Sequence, residues 1–116
     1  VTAHPDDVDF GAAGTIASWC RSGAEIAYLV ITHADAGGFD RSIPREEMAV
    51  IRRNEQRRAA AHVGVEDGRF LGHPGGSLVA GVALRRDIAR ELKGPGTYKS
   101  FTKHAMTFNE VNELMK

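Results

Sequence analysis

Apolar residues follow two different spacings along this chain of 116 residues. Residues 25–32 (EIAYLVIT) are almost all apolar, a pattern typical of a strand buried in a parallel sheet. Further along, Leu84, Ile88 and Leu92 recur every four residues, which predicts a helix that packs by one face. Runs rich in glycine, proline and aspartate separate such segments, so the pattern indicates alternating strands and helices.

The same pattern predicts the other elements. In order, we expect the end of a strand at 1–3, a helix over 11–22, the strand over 25–32, a helix from Pro44 to about Val63, a short strand near 69–71 and a helix over 82–92. In the first helix Ile16, Trp19 and Cys20 share one face, so we expect Trp19 to be largely buried.

This βαβαβα order predicts an α/β fold with parallel strands and right-handed crossovers. In such sheets, ligands bind at the carboxyl ends of the strands. The loops over 4–10, 32–43 and 72–80 all follow predicted strands. We therefore expect these three loops to lie on one rim of the sheet and to form the functional site.

Composition and charge exclude several classes of protein. Fifteen basic residues balance fifteen acidic ones, which argues against a general nucleic-acid or membrane surface. No apolar run approaches the roughly 20 residues that span a bilayer. Cys20 is the single cysteine, so no intrachain disulfide can form, and a reducing, cytoplasmic location is expected. Missing strands would leave sheet edges exposed and favour a homo-oligomer.

One change in composition divides the chain. All eleven arginines lie at or before Arg90, and all four lysines lie at or after Lys93. The change falls beside a strong chain breaker, Gly-Pro-Gly at 94–96. Chance in a short tail would explain it, and so would a C-terminal piece of different origin. We favour the second interpretation and expect a domain over 1–92 and a divergent tail over 93–116, with a short helix over 107–116.

The first loop holds a candidate chemical site, because His4, Asp6 and Asp7 stand together where it follows the first strand. An imidazole nitrogen and a carboxylate oxygen are ordinary Zn²⁺ ligands, and residues 4 and 7 can converge across a turn. Asp6 would then be free to take a proton from water. Alternatively, His4 ends a strand and one of the aspartates caps a helix, since aspartate is common at helix starts.

Several motifs in order resemble one family. The segments AHPDDVDFGAAGTIA, ITHADAGGFD, Arg52-x-x-Glu55 and AAAHVGV are similar to those of the LmbE-like (PIG-L) deacetylases. The resemblance covers about residues 1–92. It implies a Rossmann-like, three-layer parallel sheet, here truncated and followed by the divergent tail. It also implies a zinc-dependent hydrolase that removes the acetyl group from small N-acetylglucosaminyl substrates.

The resemblance implies roles for particular residues. His4 and Asp7 correspond to the first two ligands of one catalytic Zn²⁺ or another divalent metal, and Asp6 corresponds to the general base. Arg52 corresponds to an arginine that contacts the substrate, although it would equally suit a solvated helix face. His73 lies on the rim and is a weaker candidate for substrate binding. A small N-acetylated amino sugar is the implied partner, without nucleic acid or a membrane span.

The sequence departs from the family pattern in two places. The third loop reads Pro74-Gly75-Gly76 where relatives usually have Pro-Asp-Gly. No His-x-Asp-His motif, the usual source of the third zinc ligand, follows Leu92, and the context of His104 does not match it. Because catalytic zinc normally has three protein ligands, whether this chain is an enzyme stays open. The alternative is a truncated or inactive fragment that serves as a weak metal-binding or structural module.

Overall fold

The computed structural model describes residues 1–38 and 40–93. In order, it contains α1 (Asp7–Gly11), α2 (Ala13–Arg21), β1 (Ala27–Thr32), α3 (Arg45–His62), β2 (Asp67–His73) and α4 (Val82–Leu92). The helix predicted over 107–116 lies outside the described residues. The chain divides into two compact units at Val79 and Ala80, and α4 belongs to the second unit.

The sheet is parallel, as the order of elements predicts. β1 pairs with β2 from Ala27 opposite Asp67 to Thr32 opposite His73. On its other edge, β1 forms a parallel bridge to Thr2, whose amide donates to the Leu29 carbonyl at 2.9 Å. The N-terminal residues, β1 and β2 therefore lie side by side in chain order. The α/β class with a parallel sheet is confirmed.

β1 is the central strand of the first unit. Every residue from Tyr28 to Thr32 is buried, on both faces of the strand. A strand buried on both faces needs no alternation of polar and apolar residues, which explains the continuous apolar run. The structured segment begins at Ala27, two residues after the predicted start at Glu25.

The core of the first unit lies between the strand and its helices. Its buried side chains come from α1, α2, β1, the end of α3 and the turn that follows it: Val8, Ile16, Tyr28, Ala60 and Val65. Gly64 ends α3 with a left-handed backbone (φ +92°), and the Val65 amide donates back to the Ala60 carbonyl at 2.9 Å. A Cβ at Gly64 would lie 3.0 Å from the Cys20 Cβ, so glycine also permits the close approach of α2.

The first predicted helix is corrected by the structure. Helical structure begins at Asp7, within the segment expected to be loop, and breaks at Ala12 (φ −138°, ψ 0°) before α2 begins. Asp6, the N-cap of α1, has a left-handed backbone (φ +107°), and its carbonyl faces the first turn of that helix. That carbonyl accepts hydrogen bonds from the Asp9 and Phe10 amides at 2.9 and 3.2 Å.

The prediction that Trp19 is largely buried is wrong, since the residue is 56% exposed. Ile16 and Cys20 face the core of the first unit. Trp19 precedes Cys20 by one residue, which turns its side chain about 100° around the helix from Cys20. The buried stripe of α2 is therefore narrower than the apolar pattern indicates.

Helix α3 and helix α4 match their predicted bounds closely. Pro44 occupies the N-cap of α3, and its carbonyl accepts the Met48 amide at 2.9 Å. Helix α4 runs over Val82–Leu92 as predicted, with no residue fully buried. None of the helices in the described ranges combines the length and apolar character that a membrane crossing requires.

Candidate active site

The Asp7 carboxylate is held by the backbone that precedes it. Its Oδ2 accepts hydrogen bonds from the Ala3 amide at 3.1 Å and the His4 amide at 2.9 Å. Its other oxygen, Oδ1, lies 3.7 Å from Nδ1 of His4. Both side chains are about half exposed. The turn therefore fixes the Asp7 carboxylate with one oxygen directed toward the imidazole and accessible to solvent.

The donor set of this His4–Asp7 pair suits a divalent metal ion. Two ligand atoms that each lie about 2.0–2.1 Å from a tetrahedral zinc are roughly 3–4 Å apart, and the pair meets that spacing. Within residues 1–38 and 40–93, no group of three histidine, cysteine, aspartate or glutamate side chains is arranged to hold a metal. The described part of the chain thus supplies two candidate ligands.

Asp6 stands apart from that pair. Its backbone is left-handed (φ +107°), which is uncommon for any residue except glycine. Its amide donates to Oε1 of Gln56, a buried side chain of α3, at 2.7 Å. This bond connects the first loop to α3 and holds the unusual backbone. The Asp6 residue itself is exposed, as a group that exchanges protons with water must be.

The same contacts show whether the side chains of Asp6 and Asp7 cap a helix. Asp6 occupies the N-cap of α1, but its side chain makes no capping hydrogen bond. Asp7 bonds backward to the end of the preceding segment and not forward into the helix. The two carboxylates therefore do not act as helix caps, although Asp7 does order the turn.

The loops that follow neighbouring strands meet beside this turn. Both the amide and the hydroxyl of Thr32 donate to the Ala3 carbonyl, at 2.9 and 2.8 Å. His4 and His33 are the next residues of these two hydrogen-bonded segments. The His33 amide in turn donates to the His73 carbonyl at 3.0 Å. The structure brings the predicted rim together from three adjacent segments.

A register irregularity in β2 sets the position of His73. Val30 pairs with Phe70, whereas Thr32 pairs with His73, so β2 contains one extra residue between these pairs. Gly72 supplies the left-handed backbone there (φ +80°), and a Cβ on it would lie 3.3 Å from the His33 ring. Bulges of this kind often occur beside active sites, where they redirect a side chain.

Arg52, the predicted substrate arginine, is half-buried on α3. Its Nη1 lies 3.1 Å from Oε2 of Glu55 on the same helix. Arg52 is four residues before Gln56, so it occupies the same face of α3 one turn nearer the rim. The Arg52–Glu55 ion pair holds the guanidinium in place.

A carboxylate of the second loop, that of Asp35, bonds to the backbone of the third loop. Oδ1 of Asp35 accepts the Gly75 amide at 2.6 Å, and Arg45 lies 3.9 Å from Oδ2. The Gly75 amide is the main cause that holds the pKa of Asp35 below its ordinary value, and Arg45 lowers it further. A Cβ at Gly75 would lie 3.0 Å from Asp35 Oδ1 and 3.3 Å from the backbone of Ala34 and Ala36. Gly75 stands where relatives usually have aspartate, and its lack of a side chain leaves room for the Asp35 carboxylate.

The side chain of His62 bonds within its own helix. His62 Nδ1 lies 2.8 Å from the Arg58 carbonyl, one turn earlier on α3. His104 lies outside the described residues.

Three residues of the rim were not predicted from the sequence. Gln56 lies in a largely polar helix and Asp35 in a loop of small residues, so neither stands out by residue type. The Nη2 of Arg53 lies 3.5 Å from His33 Nδ1, but the sequence does not distinguish Arg53 from the neighbouring arginines. Helical spacing offers one usable signal, because Gln56 lies four residues after Arg52.

Comparison with known proteins gives a family match. The sequence profile described as "PIG-L: GlcNAc-PI de-N-acetylase" matches residues 1–111. The match extends past Leu92, and it includes the first loop, α3 and the third loop.

Individual relatives are deacetylases. The chain is 35% identical over 66 residues to the diacetylchitobiose deacetylase of Thermococcus kodakarensis, which covers 57% of this chain and 25% of that protein. It is 32% identical over 99 residues to a probable N-acetyl-alpha-D-glucosaminyl L-malate deacetylase 2 of Bacillus anthracis, covering 83% of this chain and 38% of that protein.

A solved structure shows the same fold. The N,N'-diacetylchitobiose deacetylase from Pyrococcus horikoshii superposes with a TM-score of 0.76 at 32% sequence identity. The match covers 79% of this chain and 34% of that structure. The chain thus spans between a quarter and two fifths of the length of these proteins.

Proposed function

Because this chain belongs to the PIG-L family, we propose that its protein removes the N-acetyl group from a small N-acetylated amino sugar. The observation that carries this proposal is the arrangement of the first loop. A histidine and an aspartate lie at metal-ligand spacing, and a second, exposed aspartate stands between them in the sequence. The relatives named above act on N-acetylglucosaminyl compounds, which supports the substrate class.

We propose that His4 Nδ1 and Asp7 Oδ1 hold the metal, with zinc as the expected ion. Their 3.7 Å separation and half-exposed side chains support this role. Once bound, a divalent ion would polarise the amide carbonyl and acidify water, which is the usual contribution of metals to hydrolysis. A third ligand would have to come from outside the described residues.

Asp6 is the proposed general base. Three observations support this role: the residue is exposed, its amide is bonded to Oε1 of Gln56, and it lies between His4 and Asp7 in the sequence. Asp6 takes a proton from the water that attacks the acetyl carbon. The carbon–nitrogen bond then breaks, the proton passes to the amine nitrogen, and acetate and the free amino sugar leave.

Arg52 and His73 are the proposed substrate-binding residues. Arg52 lies one turn nearer the rim than the side chain that contacts Asp6, and Glu55 steadies its guanidinium. His73 ends β2 at the bulge, where its carbonyl is bonded to His33. Both positions would orient the sugar and would contribute to catalysis by positioning.

Acetate release tests this proposal. The protein expressed from its whole reading frame should deacetylate diacetylchitobiose or N-acetylglucosaminyl malate in the presence of zinc. Asp6→Asn should lower the rate by about 10²–10⁴-fold, the usual effect of losing a general base, while leaving metal content nearly unchanged. His4→Ala should remove both activity and metal. Equal rates for Asp6→Asn and the parent protein would disprove the assigned base.

The alternative function is that of a weak metal-binding or structural module. It is favoured by the count of candidate ligands, which is two in the described part of the chain. Under this alternative, the residues 1–116 alone bind zinc weakly and release no acetate. Turnover by the whole protein, lost on His4→Ala, would exclude it.

A further inference from the structure

Arg53 is a rim cation that differs from its neighbours on the sheet and helices. Arg45, Arg52 and Arg69 each lie within 4.0 Å of a carboxylate, on Asp35, Glu55 and Asp67. Across residues 1–38 and 40–93, Arg53 has no such acidic partner; its Nη2 lies 3.5 Å from Nδ1 of His33. Since a guanidinium carries five N–H donors, most of its donor capacity is unused by these contacts.

The surroundings of Arg53 hold it in place without neutralising it. Its guanidinium carbon lies 5.6 Å from the centroid of the Phe70 ring, and its Nε is buried with no hydrogen-bond partner. Arg57, one turn later on α3, lies 5.5 Å from the same ring centroid. Two guanidinium groups on one ring reinforce each other's positive potential. An anion bound here would relieve that repulsion.

The position of this cationic cluster relates it to the candidate active site. His33 directly follows Thr32, which is hydrogen-bonded to Ala3, the residue before His4. Arg53 also lies three residues before Gln56, whose side chain contacts the Asp6 amide. Arg53 is therefore tied to the first loop by two routes, one through the strand ends and one along α3.

We infer that Arg53 and His33 form a subsite for an anionic group, a carboxylate or a phosphate, on the part of the substrate attached to the amino sugar. This inference rests on the proposed deacetylase function for the identity of the substrate, but not for the binding of the anion itself. Guanidinium groups bind carboxylate and phosphate oxygens through paired, charge-assisted hydrogen bonds. A neutral disaccharide has no anionic group to bind in this subsite.

A purely structural role for Arg53 gives a different expectation. In that case stacking on Phe70 would be its whole contribution, and replacing it would change stability without changing the choice between acidic and neutral ligands. The comparison of acidic with neutral ligands therefore separates the two roles.

Binding of simple anions tests the subsite directly. The ¹⁵N-labelled 116-residue chain is titrated separately with L-malate and with inorganic phosphate, and with N-acetylglucosamine as the neutral probe. We expect saturable shifts of the Arg53 Nε–H resonance with one or both anions, the stronger of which identifies carboxylate or phosphate. Arg53→Gln should weaken anion binding about tenfold or more, as expected for a lost charge-assisted bond. Arg58→Gln, an exposed control on the same helix, should change it less than twofold.

Substrate discrimination supplies an independent test. In the whole protein, Arg53→Gln should lower kcat/KM for N-acetylglucosaminyl malate about tenfold or more and leave kcat/KM for diacetylchitobiose unaffected. With the malate substrate, kcat/KM of Arg53→Lys should lie between those of the parent protein and Arg53→Gln. Equal anion binding by Arg53→Gln and the parent chain would overturn the inference, and so would equal losses on both substrates. If the whole protein turns over neither substrate, the proposed function fails, and the anion titration alone decides the subsite.

Discussion

At the scale of single residues, the first loop depends on a side chain fifty positions away. Gln56 is 4% exposed, and its Oε1 accepts the Asp6 amide at 2.7 Å. The amide nitrogen of the same side chain is buried without a hydrogen-bond partner in the described structure. Burying a polar atom without a hydrogen bond costs free energy, as it does for the amide nitrogen of Gln56. The main structural contribution of Gln56 is therefore the bond that its Oε1 accepts from the Asp6 amide.

Replacing Gln56 by methionine should release the Asp6 backbone. Methionine has a similar shape but no acceptor, so the Asp6 amide loses its partner and should exchange with solvent at least several-fold faster. Amide hydrogen exchange followed by NMR measures this. Asn54→Met, at an exposed position of the same helix, is the matched control and should leave the exchange of Asp6 unchanged. Unchanged exchange in Gln56→Met would show that this bond does not hold the loop.

The sequence identifies the ligand candidates but not what holds them. His4, Asp6 and Asp7 are visible because their residue types and spacing carry chemistry. The left-handed backbone of Asp6 and its bond to Gln56 depend on the approach of α3 to the first loop, which no local pattern encodes. The exposure of Trp19 was missed for a similar reason, because helical spacing indicates an apolar face without setting the width that is covered.

At the scale of elements, the rim is built by contacts between loops. Asp35 in the loop after β1 accepts the Gly75 amide in the loop after β2. The buried Gly75 leaves no room for a side chain, since a Cβ would lie 3.0 Å from Asp35 Oδ1. The strand order was predictable from the alternation of elements, whereas the β2 bulge at Gly72 and this loop contact were not.

Adding a methyl group at Gly75 should separate these two loops. Gly75→Ala forces either the Asp35 carboxylate or the backbone at Ala34 and Ala36 to move, and overpacking of this kind costs about 1–3 kcal/mol. Gly14→Ala is the control, because its added Cβ meets nothing within 4 Å and alanine favours the helix by up to about 1 kcal/mol. Urea unfolding of both variants measures the difference. Equal stability of Gly75→Ala and the parent chain would contradict the close contact.

The same contact should appear in the pH dependence of stability. The folded pKa of Asp35 lies below its unfolded value, near 3.8, chiefly because its carboxylate accepts the Gly75 amide. Asp35 therefore contributes stability above that value, and the contribution is lost as pH falls through the lowered folded pKa. Asp35→Asn should reduce stability at neutral pH and make the acid limb less steep. Glu25→Gln, at an exposed position, should leave the limb nearly unchanged, and an unaltered limb in Asp35→Asn would refute the coupling.

At the scale of the whole molecule, the family and the fold are established, while other properties stay predictions. The family profile matches residues 1–111, and the described fold is the parallel α/β arrangement of a deacetylase structure. Cytoplasmic location and the separate origin of residues 93–116 remain predictions. The sequence could reveal the family because its motifs lie in order along the first 92 residues. It does not identify a third ligand, and the described residues hold no group of three side chains arranged to bind a metal.

Self-association is a prediction at this scale. Within the described residues the sheet has two named strands, β1 and β2, and so narrow a sheet favours pairing with a second copy of the chain. The 116-residue chain should therefore form dimers or larger species as its concentration rises. Sedimentation velocity across a concentration series measures this. A monomer at every concentration would show that the edge is protected.

Zinc binding by the 116-residue chain tests the central assignment most directly. Titration followed by metal analysis after desalting should give weak binding with less than one equivalent retained, because two described side chains serve as ligands and catalytic sites normally use three. Asp6→Asn should bind as the parent chain does, and His4→Ala should abolish binding. Zinc retained equally by His4→Ala and the parent chain would contradict the assignment, as would a full equivalent that is lost on His104→Ala.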